Sequence, residues 1–252
     1  MMLKKLLASV GIGSAKVDLE IPNPQVELGG ILEGVVKIKG GSVEQEIEKI
    51  YINLVLNSKY GSGDETKPVS RTVGTVKVTD KLTLAPGQEK TIPVNFEIPL
   101  DIPISKGRTR YYLKTGLDIE QALDPTDLDD IKILPNKYMK MLFDAVSALG
   151  FREKHNSGDY NGRYQEFEYR PTSFMARELD EIELYPTAGE QELNVVIQID
   201  KRNRGLFGSL LDDLDLDERY VRIRIPYSQM NDVTQVANFL RETIESEYRK
   251  IL

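Results

Sequence analysis

Between Leu32 and Leu117 the chain repeatedly alternates apolar and polar side chains with a period of two. Leu32, Gly34, Val36 and Ile38 point one way, and Glu33, Val35 and Lys37 the other. Ile50, Ile52, Leu54 and Leu56 likewise oppose Lys49, Tyr51, Asn53 and Val55. The pattern recurs at Ile92, Val94, Phe96 and Ile98, and again at Tyr111, Leu113, Thr115 and Leu117 against Arg108, Arg110, Tyr112 and Lys114. Such segments are half-buried antiparallel strands, because successive side chains in a strand face opposite sides of the sheet. Their spacing suits a β-sandwich.

A chain of 252 residues can hold one large or two ordinary domains. We read a first unit over 1–135, punctuated by Gly29-Gly30, Gly40-Gly41, Gly61-Ser62-Gly63-Asp64 and Ala85-Pro86-Gly87. The polar stretch Gly61 to Pro68 fits a hairpin tip or binding loop. A second unit spans 136–252. It opens with a helix capped by Asn136, carrying Tyr138, Met141, Leu142, Ala145, Val146 and Leu149 on one face and stopped at Gly150. Strand patterning then resumes at Phe167 and Tyr169, at Ile182 and Leu184, at Leu193 to Ile199, and at Val221, Ile223 and Ile225. A helix from about Asp232 closes the chain, with Val233, Val236, Leu240, Ile244, Tyr248 and Ile251 as its stripe.

Charge and composition narrow the role. The formal net charge of −7 opposes nucleic-acid binding, which needs a basic face to displace counterions. Arg108, Arg110 and Lys114 form a local basic strand face, whose ordinary meaning is solvation. With no cysteine, neither disulfides nor thiolate sites exist, which fits a reducing cytoplasm. Leu3, Leu6, Leu7 and Val10 beside Lys4 and Lys5 make a helical stripe. It fits a short helix docked on the sandwich, with a membrane-surface anchor as the competing reading. Its apolar stretch, Leu6 to Val10, is shorter than a secretory h-region.

Catalytic chemistry finds little support in the motifs. The single histidine, His155, lies in a polar turn, and no G-x-S-x-G elbow or G-x-x-x-x-G-K-[ST] loop occurs. Asp124, Asp127, Asp129 and Asp130 miss the ligand spacing of a calcium-binding loop. An insertion lies between the strand of Leu193 to Ile199 and that of Val221, Ile223 and Ile225: basic Arg202 and Arg204, apolar Leu206, Phe207, Leu210 and Leu211, then five acids between Asp212 and Glu218. We take Arg202, Arg204, Leu206 and Phe207 as candidate partner contacts.

Several segments carry a family resemblance. Leu6 to Asp18, Arg108 to Ile119 with the loop Ala122 to Asp127, Gln165 to Pro171, and Asp200 to Leu206 resemble the Spo0M sporulation-control family in order along nearly the whole chain. The resemblance implies a mainly β, arrestin-like fold of two β-sandwich units joined by a short helix, with a C-terminal helix. It also implies a cytoplasmic regulator without catalysis or cofactor. Such sandwiches mostly bind, so the expected role is an adaptor for other proteins, with a homodimer among the arrangements an open sheet edge permits. A peripheral membrane protein using the N-terminal stripe, or a metal-dependent protein using the acidic loops, are the alternatives.

Overall fold

The structure, a computed structural model, describes residues 14–61, 63–119, 124–202 and 218–250. The chain forms two compact units. The first comprises residues 1–57, 70–99 and 110–134, and the second comprises 58–69, 100–109 and 135–252. Two stretches from the first half of the sequence therefore belong to the second unit.

Nine strands precede the first helix: β1 (Lys16–Glu20), β2 (Gln25–Glu27), β3 (Ile31–Lys39), β4 (Gln45–Tyr60), β5 (Lys67–Thr79), β6 (Leu82–Leu84), β7 (Glu89–Glu97), β8 (Arg110–Ile119) and β9 (Thr126–Leu134). A three-stranded sheet runs β1-β3-β7, and a six-stranded sheet runs β2-β9-β8-β4-β5 with β6 beside β4. In the first unit the alternation selects what is buried. Leu32, Val36 and Ile38 of β3 are buried, as are Ile50, Ile52, Leu54 and Leu56 of β4, and Leu113 and Leu117 of β8. The gap left among Leu19, Leu32, Ile52, Val94, Phe96 and Leu113 is about 10 Å³, room for about one water. The interior of this sandwich is a packed core.

The described residues of the polar stretch after β4 include a 3-10 turn, Gly63–Glu65, and β5 begins already at Lys67. Helix α1 (Lys137–Ala148) starts where expected, the Asn136 side chain accepting a hydrogen bond from the Met139 amide at 3.0 Å. Gly150, at φ +93°, ends it in the left-handed region. The buried face uses Met139 rather than the expected Met141, alongside Leu142, Ala145 and Val146.

Beyond α1 come β10 (Phe151–Glu153), β11 (Phe167–Pro171), β12 (Leu179–Ala188), β13 (Glu192–Lys201), β14 (Glu218–Pro226) and helix α2 (Val233–Tyr248). The strands pair antiparallel in chain order as one five-stranded sheet. One face carries Phe167, Tyr169, Ile182, Leu184, Val195, Ile197 and Ile199, all buried. The layer that accompanies this sheet, among the described residues, is helical. Val236, Leu240 and Ile244 of α2 are buried, and Phe143 of α1 lies 4.7 Å ring-to-ring from Phe167. Asp232 caps α2 through the Gln235 amide at 2.8 Å.

Candidate functional site

In an antiparallel sheet the acids of one strand meet those of the next when register aligns them. Here Glu168 of β11 sits opposite Glu183 of β12, which places Glu166, Glu168, Glu181 and Glu183 on one sheet face. That face is the polar one, since Phe167, Tyr169, Ile182 and Leu184 occupy the other. Beside it opens a cavity of about 330 Å³, lined by Tyr60, Gly61, Arg108, Asn156, Asp159, Asn161, Glu166 and Glu168. Every one of these residues belongs to the second unit.

Three stretches of chain build the cavity walls, and buried polar groups lock them together. Gln165 is the first latch. Its amide oxygen accepts from the Ile104 N–H at 2.8 Å, while its amide nitrogen donates to the carbonyls of Ile104 (2.8 Å) and Gly158 (2.7 Å). A relay of hydroxyls is the second. The Tyr160 N–H donates to Ser58 Oγ at 3.1 Å, Ser58 Oγ lies 3.1 Å from Thr109 Oγ1, and Thr109 donates to the Gly158 carbonyl at 3.1 Å. Both hydroxyls are buried, so each bond is made where water does not compete.

Two glycines permit the close packing. At Gly107 (φ +58°) a Cβ would lie 2.7 Å from Asp159 Oδ1 and 2.8 Å from the Ser157 carbonyl. At Gly158 (φ +98°) it would lie 2.2 Å from Lys106 Cγ. No L side chain fits either position without displacing the wall.

The charged groups divide into satisfied and strained. The Arg108 amide donates to Asp159 Oδ1 at 2.7 Å, its Nε to Asp159 Oδ2 at 2.7 Å and its Nη2 to the Gly61 carbonyl at 2.8 Å. Arg108 is thus a wall element fixed through its guanidinium fork. It precedes β8 and does not continue the basic strand face of Arg110 and Lys114.

Lys154 donates to Glu168 at 2.7 Å and also bonds Glu181. Burial works against its ammonium, but the bonds to Glu168 and Glu181 outweigh this and hold its pKa above the ordinary lysine value. Glu166 is in the opposite position. Burial first, then the neighbouring Glu183 and Glu168 carboxylates, push its carboxyl up to about 7. A hydrogen bond joins Glu166 to Glu183, and the Tyr185 hydroxyl also bonds Glu183. Burial and that bond raise the Tyr185 phenol as well.

Of the residues singled out from sequence, Arg202 is held beside β12. Its Nη1 donates to the Ala176 carbonyl at 3.0 Å and its Nη2 to Asp180 at 3.2 Å. Arg204, Leu206 and Phe207 lie outside the described residues, as does the N-terminal stripe. His155 is exposed in the turn after β10. The acids near β9 serve the backbone: Asp124 accepts from the Ile119 N–H at 3.0 Å and Asp127 from the Leu19 N–H at 2.8 Å. Burial and the adjacent Asp127 lift the Asp129 carboxyl to about 7. Among the described residues no three carboxylate or imidazole groups converge as a metal ion would require, and no helix is long and apolar enough to cross a membrane. The sequence reading missed the Glu166–Glu183 pair. Its signal was present in the two period-two runs Glu166-Phe167-Glu168 and Glu181-Ile182-Glu183, once those runs are placed on adjacent strands.

The strand order, the packed sandwich and the C-terminal helix define a mainly β, arrestin-like protein. The family described as SpoOM protein matches residues 3–203, so the chain belongs to the Spo0M family. It is 34% identical to the sporulation-control protein spo0M of Bacillus subtilis (strain 168), over 96% of this chain and 97% of that one. The crystal structure of Spo0M from Bacillus subtilis superimposes with a TM-score of 0.76 at 29% identity, covering 96% of this chain and all of that one.

Proposed function

We propose that this chain is a non-catalytic regulatory adaptor that works in the cytoplasm by holding other proteins. Its kinship with a sporulation-control protein supports the regulatory part. The observation that carries the binding part is β5, a thirteen-residue strand that ends the six-stranded sheet. An edge strand presents unpaired backbone donors and acceptors, and an extended segment of a partner can add to it as a further strand. Lys67, Arg71 and Lys77 along β5 limit indiscriminate pairing while leaving such a segment a charged handhold. The insertion carrying Arg204, Leu206 and Phe207 offers a second contact of mixed charge and apolar character.

The test is capture from native cells with the full-length chain carrying a photo-crosslinking residue at Thr72, an exposed position of β5. Stoichiometric protein partners cross-linked through Thr72 are the expected result. Recovery of lipid alone, at wild-type abundance of the chain, would overturn the reading. Phe207→Ala should reduce capture without lowering the melting temperature, because a contact anchor contributes to binding and not to the fold.

A further inference from the structure

The cavity of the second unit has one polarity, and that polarity selects a ligand. About 330 Å³ is the low end of ligand-site size, enough for one long side chain and too small for a folded element. Five carboxyl groups stand in or beside it, from Asp159, Glu166, Glu168, Glu181 and Glu183, and two cations face them, Arg108 and Lys154. Both cations are already committed. Arg108 spends Nε and Nη2 on Asp159 and the Gly61 carbonyl, and Lys154 is divided between Glu168 and Glu181. The guanidinium fork that would clasp a phosphate or carboxylate is therefore occupied, which argues against an anionic ligand.

What the lining offers instead is acceptors. Asp159, the Gly61 carbonyl and Glu168 each already accept from Arg108 or Lys154 but keep further lone pairs, Glu166 receives neither cation's hydrogen bond, and Asn156 and Asn161 add amides to the lining. Tyr60 adds an aromatic ring of the kind over which cations settle. Glu166 is the group with most to gain. Burial and its acidic neighbours Glu183 and Glu168 disfavour its charge, and Lys154, the cation acting on it, is shared between two other acids. The walls are fixed beforehand by Gln165 and by the Ser58–Thr109 relay, so little ordering cost accompanies occupancy.

We propose that this cavity receives a basic side chain, arginine or lysine, presented by a partner protein. The proposal rests on the adaptor reading and supplies the chemistry of one contact. A guanidinium or ammonium seated against Glu166 and Glu168 replaces the missing counter-charge, fixes Glu166 as carboxylate and releases the proton it shares with Glu183.

The test uses the full-length chain, labelled with nitrogen-15, and four probes: acetyl-Gly-Arg-Gly-amide, the same peptide with neutral citrulline for arginine, spermidine, and magnesium chloride. Each is titrated to about 10 mM, some tenfold above the dissociation constant of about 1 mM expected for a single desolvated ion pair. The arginine peptide should shift the side-chain amides of Asn156 and Asn161 saturably at pH 8, and the citrulline peptide should not. Affinity should fall about tenfold in Glu166→Gln, and also in the wild type at pH 6, where Glu166 is protonated. Glu190→Gln, on the exposed β12–β13 turn, should bind as the wild type does.

Spermidine binding without peptide binding would move the site to free polyamines and overturn the protein-borne ligand. Magnesium binding, equal citrulline binding, or an arginine peptide that leaves Asn156 and Asn161 unmoved would overturn the basic-side-chain site altogether. If Glu166→Gln captures partners from cells as well as wild type does, the pocket proposal fails while the adaptor reading stands. If wild type captures none but binds the peptide, the reverse holds.

Discussion

Replacing Glu166 with glutamine should stabilise the protein at alkaline pH and do nothing of the kind in acid. The carboxyl titrates near 7 in the fold and near 4.5 when unfolded, so the native state binds its proton more tightly. Stability from this group is therefore complete below about pH 4.5 and falls as pH rises through 7. At about 1.4 kcal/mol per pH unit the loss is bounded at about 3.5 kcal/mol. The side chain retains partial contact with solvent, which screens it, so the expected effect is about 1–2 kcal/mol. Glutamine keeps the shape and a donor toward Glu183 but carries no charge. In urea denaturation followed by circular dichroism, Glu166→Gln should exceed wild type by about 1–2 kcal/mol at pH 8 and match it at pH 4.5. That gain corresponds to a melting-point rise on the order of 2–8 °C. Asp129 also titrates near 7, so the quantity to compare is the difference between the two proteins at each pH. A difference that does not change between pH 4.5 and 8, or a variant less stable at pH 8, would refute the assigned electrostatics of this sheet face.

Other substitutions probe the same unit. Lys154→Met strips Glu168 and Glu181 of their shared cation and should cost about 2–3 kcal/mol at pH 8, less at pH 4 where those acids protonate, in the same denaturation assay. Gln165→Leu leaves the Ile104 N–H and carbonyl without their Gln165 partner, and the Gly158 carbonyl with Thr109 alone, a loss of about 2–3 kcal/mol, with faster amide exchange at Ile104 as its signature. Gly158→Ala forces a Cβ into Lys106 at positive φ and should lower stability by at least about 2 kcal/mol, measured by thermal unfolding. Leu142→Ala opens a void under α1 and should cost about 3 kcal/mol in the urea assay.

Much of the fold is written locally. The two-residue period placed β3, β4, β7 and β8 and chose their buried faces, because burial of one sheet side leaves a direct trace in sequence. Asn136 announced the first helix, since an N-cap needs only a short side chain and an amide three residues on, and the apolar stripe from Val233 announced the second. The rotation of α1 was one step less legible: Met139 and Met141 are alike in sequence, and tertiary packing decides between them. The site was harder still. Arg108 fitted a strand face by alternation, yet its role depends on Asp159, 51 positions later. Glu166 becomes unusual through its burial and then through Glu183 and Glu168, and register, not sequence separation, brings Glu183 to it. Nothing in a single strand records which strand will lie beside it.

The hydroxyl relay also governs how this protein can be made. Ser58 and Thr109 emerge from the ribosome long before Tyr160 and Gly158, to which they bond across as many as 102 positions. Until those later residues arrive, the tip of the β4–β5 hairpin and the stretch 100–109 have polar groups whose native partners do not yet exist. Contacts this distant are slow to close and leave the growing chain exposed meanwhile. A fragment ending at residue 135 would be stranded permanently at that stage, with Thr109 Oγ1 deprived of the Gly158 carbonyl and Ile104 of Gln165. A cut at residue 135 therefore splits the second unit, which draws 58–69 and 100–109 from the sequence before it.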